Sequence, residues 1–361
     1  MLSPSNVGLL CGVAAGGLMG VAGRAGRFCT LAMLEDAFFA SDMRRLKSFA
    51  LAAAVALILT QFLATFGLVN LSESIYLTSS IGLGGAIIGG LMFGVGMALV
   101  GTCGFGTLVQ IGGGNLRAII VYLVLGISAL AAMRGLTEFV RLTFIDPLSL
   151  RLPKGTAQGL DSLLAPLFGG GSRVFIVAIA AFGLLVWSLA DAQLIRSPRR
   201  LLSGLAVGIA IAFGWFATGW LSHDEFDPNR LASLTFVAPL ADSILYVATL
   251  SGSKVDFGIG SVAGVVLGSF VVAIFSGDFR WEACDDAREL KRHMVGALLM
   301  GTGGIMSMGC TIGQGLSAFS TLAVSAPLTM VAIACGARLG LEFTMTGEWL
   351  PAIRRLLGIS T

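Results

Sequence analysis

Apolar stretches of roughly 17–25 residues recur along the whole chain, each about long enough to cross a ~30 Å hydrocarbon core. Broken only by short polar turns, they predict nine crossings at about 7–23, 48–70, 84–100, 116–134, 173–191, 201–220, 256–276, 293–309 and 324–345. Four further apolar pieces, 25–40, 101–114, 231–250 and 310–322, carry Gly, Pro or charge in mid-stream. Backbone interrupted in this way is tolerated at membrane depth only where protein buries it, so these pieces are expected as re-entrant or buried loop segments. The longest non-spanning stretch, 135–172, holds Pro147, Pro153 and Pro166.

Composition agrees with that pattern. With 56% hydrophobic and 12% charged residues among 361, the chain has too little polar surface to coat a water-soluble globule of its size. The first apolar run has no positively charged segment before it and leads into Arg24 instead of a small-residue cleavage site, so it is expected to be retained. A net charge of +3 without a long Lys/Arg run sets nucleic acid aside as a partner and leaves membrane lipid as the surroundings. The clusters Arg44-Arg45-Lys47, Arg196-Arg199-Arg200, Arg288-Lys291-Arg292 and Arg354-Arg355 fall on one side of the nine crossings, which makes that side the cytoplasm, the amino end outside and the carboxyl end inside. Arg134, Arg141, Arg151 and Lys154 fall on the other side, against the bias.

Sliding the chain on itself by 207 residues lays Gly89, Gly94, Gly96, Cys103 and Gly106 on Gly296, Gly301, Gly303, Cys310 and Gly313, a shared GxxxxGxGxxxxxxCxxG. A shift of 196 similarly lays Gly8, Gly12 and Gly23 on Gly204, Gly208 and Gly219. The expected fold is thus an all-α integral membrane protein of about nine transmembrane helices in two inverted pseudo-symmetric halves, with re-entrant loops or short helices meeting at the centre. It forms a single membrane transport domain over 1–361, with halves at about 1–135 and 200–345 joined by a linking segment at 136–199. With 50 glycines, part of the pattern also serves close helix packing.

Of six cysteines, Cys29, Cys103 and Cys310 stand in comparable surroundings, where an apolar span gives way to a flexible turn. Such a junction leaves backbone N–H groups free for an anion that must shed water. Gly104, Gly106, Gly309 and Gly313 supply the turns, while Thr102, Thr107, Thr311 and Gln314 add donors without charge. A neutral thiol does not repel an anion, and soft sulfur suits soft sulfur. The plainer alternative is a small apolar residue packed between helices, the reading applied to Cys11, Cys284 and Cys335. Arg24 and Arg27 abut the first span, where they either attract or gate an anion, snorkel to headgroups, or pair with Glu35 or Asp36. Asp242 is expected to cap or orient a broken segment, and Gln110 is a further polar group at membrane depth. Met92, Met97, Met300, Met306 and Met308 raise a Cu(I) reading. With only His223 and His293 and no CxxC, however, neither a metal site nor a disulfide framework nor a cofactor is expected.

Arg24-x-x-Arg27-Phe28-Cys29, Cys103-x-x-Gly106-Thr107 and Gly309-Cys310-x-Ile312-Gly313-x-Gly315-Leu316 resemble the signatures of the YeeE/YedE family of sulfur-compound transporters. The resemblance runs through nearly the whole chain. It implies thiosulfate uptake across the bacterial inner membrane for cysteine synthesis, by an hourglass-shaped transporter that is not an enzyme. The family's three functional cysteines carry over to Cys29, Cys103 and Cys310, past which thiosulfate is handed by S–H contacts without a covalent bond. It also implies a small cytosolic sulfur-carrier partner of the TusA type. Thr102 stands where the family pattern has glycine, a departure that bears on selectivity. The alternatives are transport of a related sulfur or selenium compound, a membrane persulfide or redox sulfur-transfer protein, and a soft-metal permease. No GxxxxGK[ST] motif is present, and the means of energy coupling is not legible.

Overall fold

The computed structural model describes residues 4–152, 158–162, 172–222, 231–249, 255–283 and 286–348. Pro153, Lys154, Pro166, His223, Cys284, Arg354 and Arg355 lie outside the described residues. The principal helices are α1 (Pro4–Ala25), α2 (Thr30–Glu35), α3 (Arg44–Thr65), α4 (Gly90–Val100), α5 (Gly104–Gly112), α6 (Leu116–Arg134), α7 (Ser172–Leu189), α8 (Pro198–Phe216), α9 (Ala238–Thr249), α10 (Phe257–Phe275), α11 (Ala287–Met306) and α12 (Ser325–Thr346). A two-stranded antiparallel ladder pairs Ser80–Ile81 with Leu150–Arg151.

Polar residues in the short connections start several of these helices. Asn115 accepts the Ala118 amide at 3.3 Å, Asp256 the Ile259 amide at 3.0 Å and Asp286 the Arg288 amide at 2.8 Å, each satisfying a donor the first turn leaves free. Pro198 opens α8, where its missing N–H costs nothing.

Among the described residues, seven helical stretches are long and apolar enough to cross a membrane: Ser5–Ala25, Arg44–Thr65, Gly85–Gly112, Leu116–Arg134, Pro198–Leu221, Phe257–Phe275 and Ser325–Thr346. The other two expected crossings fall on helices of different character. The 173–191 segment is the shorter apolar helix Arg173–Leu189, and 293–309 belongs to α11, whose opening turns carry Arg288, Glu289, Lys291 and Arg292. The four interrupted pieces are short helices: α2, continued by a π-helical turn at Asp36–Ala40, then α5, α9, and a helix after Cys310 with a π-helical turn at Gly313–Ala318.

Glycine sets how closely the long helices pack. Gly12, Gly16 and Gly20 of α1 lie against the backbone of Phe257, Ser261 and Val265, and Gly260, Gly264 and Gly268 of α10 return the contact at Leu9, Val13 and Gly17. A Cβ at any of these positions would run into opposing backbone, so only glycine permits the approach. The two helices run parallel. So do α3 and α8, where Gly204 meets Ser48 and Gly208 meets Ala52, and so do α4 and α12, where Gly94 meets Ile333 and Gly340 meets Val95. Helices α4 and α11 instead cross antiparallel through four glycines, Gly89 against Gly303 and Gly96 against Gly296. Around this crossing the core is fully buried, with Phe93, Met97, Phe105, Trp215, Phe236 and Met300 at no more than 0% exposure.

Candidate functional site

Cys29, Cys103 and Cys310 share one local construction. A long helix ends, a residue two places before the cysteine takes a left-handed backbone, and the cysteine itself stands at the head of the next short helix. The left-handed residues are Arg27 (φ 51°), Gly101 (φ 82°) and Met308 (φ 57°). Glycine adopts that conformation freely, whereas Arg27 and Met308 hold it at a cost of roughly 1–2 kcal/mol each, sustained by the surrounding fold. The reversal aims amides at each sulfur. Cys103 Sγ accepts the Gly106 N–H at 3.4 Å, and Cys310 Sγ accepts the Gly313 N–H at 3.4 Å. The Phe236 amide also faces Cys310, and the Leu31 and Ala32 amides face Cys29.

The three thiols converge. Cys103 lies within electrostatic reach of both Cys29 and Cys310. A hydroxyl pair ties the two ends together, Thr30 Oγ1 to Thr311 Oγ1 at 3.0 Å, with Thr30 also 4.0 Å from Met97 Sδ. Cys103 and Cys310 are each 1% exposed, whereas Cys29 is only partly buried. Cys11 and Cys335 are half-buried and no helix start aims amides at them. Met97 and Met300 fill the core, as gap-filling methionines do.

The remaining candidates sort by what they touch. Gly104 opens α5. Thr102 is buried beside Gly106, where an added Cβ would strike its hydroxyl, and Thr107 Oγ1 donates to the Cys103 carbonyl at 3.0 Å. Gly309 adopts φ 156° and accepts from Ser307 Oγ at 2.9 Å. Gln314 Nε2 donates to the Ser307 carbonyl at 2.7 Å, leaving its Oε1 buried without a partner. Arg24 leans away from the thiols, donating to the Asp278 carbonyl at 3.1 Å in a groove of about 420 Å³ that Arg27 and Arg199 also line. Asp36 pairs with Arg45 at 3.3 Å, not with Arg24 or Arg27. Asp242 lies in α9, and the backbone carbonyl of Gln110 accepts the Asn115 amide closing the α5–α6 turn.

Two cavities approach the thiols from opposite ends. On the Cys310 side, Gln158, Ser307, Met308, Gln314 and Arg141 line a space of about 280 Å³. Arg141 is partly neutralised there by Asp146 at 3.4 Å. On the Cys29 side the space shrinks to about 10 Å³. At that end, outside the helices, Arg44 holds the Asp42 carboxyl down to about 2, and Lys47 lowers Asp191 in the same way.

Sequence reasoning missed Thr30, Tyr76, Thr235 and Phe236. A repeated Cys-Thr pair, Cys29-Thr30 and Cys310-Thr311, was the signal for the first. Tyr76 sits fully buried in a loop with its hydroxyl bonded to Thr235 beside Gly313, and no local pattern marks it.

Residues 25–339 match the family described as sulphur transport. The thiosulfate transporter TsuA of Spirochaeta thermophila is 26% identical over 345 residues, covering 94% of this chain and 97% of that protein. The thiosulfate transporter TsuA of Escherichia coli is 25% identical over 336 residues, covering 85% and 86%.

Proposed function

Because the chain belongs to the sulphur transport family, it is a multi-pass membrane transporter and not an enzyme, and we propose that it carries thiosulfate into the bacterial cytoplasm for sulfur assimilation and cysteine synthesis. The observation that carries this reading is the meeting of three amide-facing thiols between two opposed cavities. A dianion that leaves water needs replacement donors. At Cys103 and Cys310, backbone N–H groups at helix starts provide them without adding charge. Thiosulfate enters by the wide cavity, passes Cys310 and Cys103, and leaves past Cys29, each thiol making S–H contact without forming a bond.

The orientation that goes with this places the chain in the inner membrane, amino end outside and carboxyl end inside, with nine crossings. The halves 1–135 and 200–345 are an inverted repeat joined by 136–199, a reading supported by paired contacts. Shifting Gly89 and its partner Gly303 by 207 residues, forward and back, yields Gly296 and Gly96, which also touch. A TusA-like carrier takes the sulfur at the cytoplasmic end.

The test is uptake of radiolabelled thiosulfate into proteoliposomes, with sulfate, sulfite and selenite as competitors. Saturable uptake that Cys103→Ala and Cys310→Ala abolish, at unchanged protein level, is the expected result. Undiminished uptake by both variants would remove the thiols from the path, and a persulfide on any of the three during turnover, seen by mass spectrometry, would replace contact relay by covalent transfer.

A further inference from the structure

Arg45 and Arg200 line the same narrow cavity as Cys29, together with Arg27. They come from separate elements: Arg27 from the turn after α1, Arg45 from the first turn of α3 and Arg200 from the first turn of α8. The contact of Gly204 with Ser48 brings the last two helices together, and the Arg200 carbonyl accepts the Ser48 hydroxyl at 2.8 Å.

Two of the acids at this end, Asp42 and Asp191, are taken up elsewhere. Asp42 is bound by Arg44, with contacts of 2.6 to 2.9 Å, and Asp191 by Lys47 at 2.9 Å. Asp36 approaches Arg45 through one terminal nitrogen only. Arg45 Nε and Arg200 Nη1 are left buried with no acceptor, and no Asp or Glu lines the cavity. Arg27 is exposed and Arg45 and Arg200 are half-buried, so the two guanidinium nitrogens that are shielded from water and lack acceptors are the ones complementary to an oxyanion.

We propose that Arg27, Arg45 and Arg200 form an anion-holding site around Cys29, selecting an oxyanion with a sulfur end for the thiol and oxygens for the guanidinium groups. The assignment of thiosulfate to this site rests on the transport reading above, whereas the anion preference of the site does not. The space beside Cys29, about 10 Å³, holds no more than a single water, so an anion does not fit beside this thiol in the structure. Gly26, Arg27 and Ser203 line both this space and the groove of about 420 Å³, so the turn that carries Arg27 lies between the thiol and that groove.

The test uses the full chain in membrane vesicles of both orientations and two small thiosulfonate reagents, one anionic and one cationic, with modification of Cys29 followed by mass spectrometry. A positive potential of a few kT at the thiol makes the anionic reagent faster by about tenfold or more. Replacing Arg45→Gln and Arg200→Gln together brings the ratio to about one, while Arg45→Lys with Arg200→Lys keeps it above one. Thiosulfate added in excess slows the modification of the unaltered protein and not of the glutamine variant. A ratio near one in the unaltered protein, a ratio indifferent to the glutamine pair, or a Cys29 that neither reagent reaches from either face would overturn the site. Absent thiosulfate uptake with an intact anion preference would sink the transport reading and leave the site standing. Normal uptake with no preference would do the reverse.

Discussion

A single methyl group at Gly96 tests whether the α4–α11 crossing holds the transporter together. The Cβ of Gly96→Ala would lie 2.5 Å from the Gly296 carbonyl oxygen, 2.8 Å from the Met300 amide nitrogen and 2.9 Å from Met300 Cγ. Two of these neighbours are backbone, so relief requires the helices to part. Overpacking of this kind costs about 1–3 kcal/mol. At roughly 2–4 °C per kcal/mol for a large domain, the melting midpoint should fall by about 2–12 °C, read by intrinsic fluorescence of purified protein. Adding Gly296→Ala, whose own Cβ would sit 2.7 Å from the Gly96 carbonyl, should cost less than the first substitution because the helices have already separated. The control is Gly183→Ala on α7, where no atom lies within 4 Å and alanine improves helix propensity. Uptake should fall together with stability, since α4 leads directly into the turn that bears Cys103. A Gly96→Ala protein that melts within a degree of the parent, or a Gly183→Ala protein that loses as much, would refute the reasoning.

Cys103→Ser and Cys310→Ser should keep stability within about 1 kcal/mol, because serine caps a helix start as well as the thiol does, yet lose thiosulfate uptake; an active serine variant would show that sulfur is dispensable. Gly101→Ala should destabilise by roughly 1–2 kcal/mol from the left-handed backbone alone, since no atom lies within 4 Å of its Cβ position. Met308→Gly should do the opposite by a similar amount, its side chain being half exposed, and calorimetry of the pair checks both signs. Asp42, held near 2 by Arg44, stabilises the start of α3 as a carboxylate. Its contribution is complete above the ordinary carboxylate value and disappears as pH falls through about 2. The melting gap between parent and Asp42→Asn should therefore stay constant from pH 7 to about 5 and close between about pH 4 and pH 2.

Seven of the expected spans were legible because hydropathy along a helix is a local property, whereas 173–191 and 293–309 fall on helices that are shorter or charged at one end. The limits moved where local chemistry overrode hydropathy. The 48–70 segment starts at Arg44, which Asp42 caps, and ends at Thr65, ahead of Gly67 at φ 71°. Cys29, Cys103 and Cys310 were legible from their flanking glycines and short motifs. Their common left-handed residue was not, since arginine, glycine and methionine fill it in turn. Arg45 and Arg200 read as ordinary basic ends of spans. Their shared cavity with Cys29 exists only once α3 and α8 pack, a contact between residues 152 positions apart.

If the proposed halves are a repeat, the packing contacts bear on how such a protein acquires a direction. Gly94 touches Ile333 and Ala337, and its counterpart Gly301 touches Leu125 and Ala129, so α12 serves α4 as α6 serves α11. Likewise α10 lies along α1 as α3 lies along α8, while α1 and α8 meet antiparallel where Gly26 reaches Ser203 and Gly8 reaches Ser222. Contacts exchanged in this way favour the same environment for Cys103 and Cys310, and each indeed accepts an amide three residues on at 3.4 Å. A pathway made only of exchangeable parts would have equivalent ends and no preferred entrance. On the proposed repeat and import, direction comes from what the shift by 207 residues leaves unmatched, and Cys29 is such an element: no cysteine stands at position 236, where Phe236 instead aims its amide at Cys310. If Cys29 and its arginines supply the asymmetry, Cys29→Ala should slow release at the arginine-bearing end while sparing binding at the open cavity. Equilibrium binding of thiosulfate should then stay within about twofold of the parent, well below the 1.4 kcal/mol that makes tenfold, as initial uptake falls. Equal losses in binding and uptake would place Cys29 in the binding site proper and return the question of direction to the outer cavity.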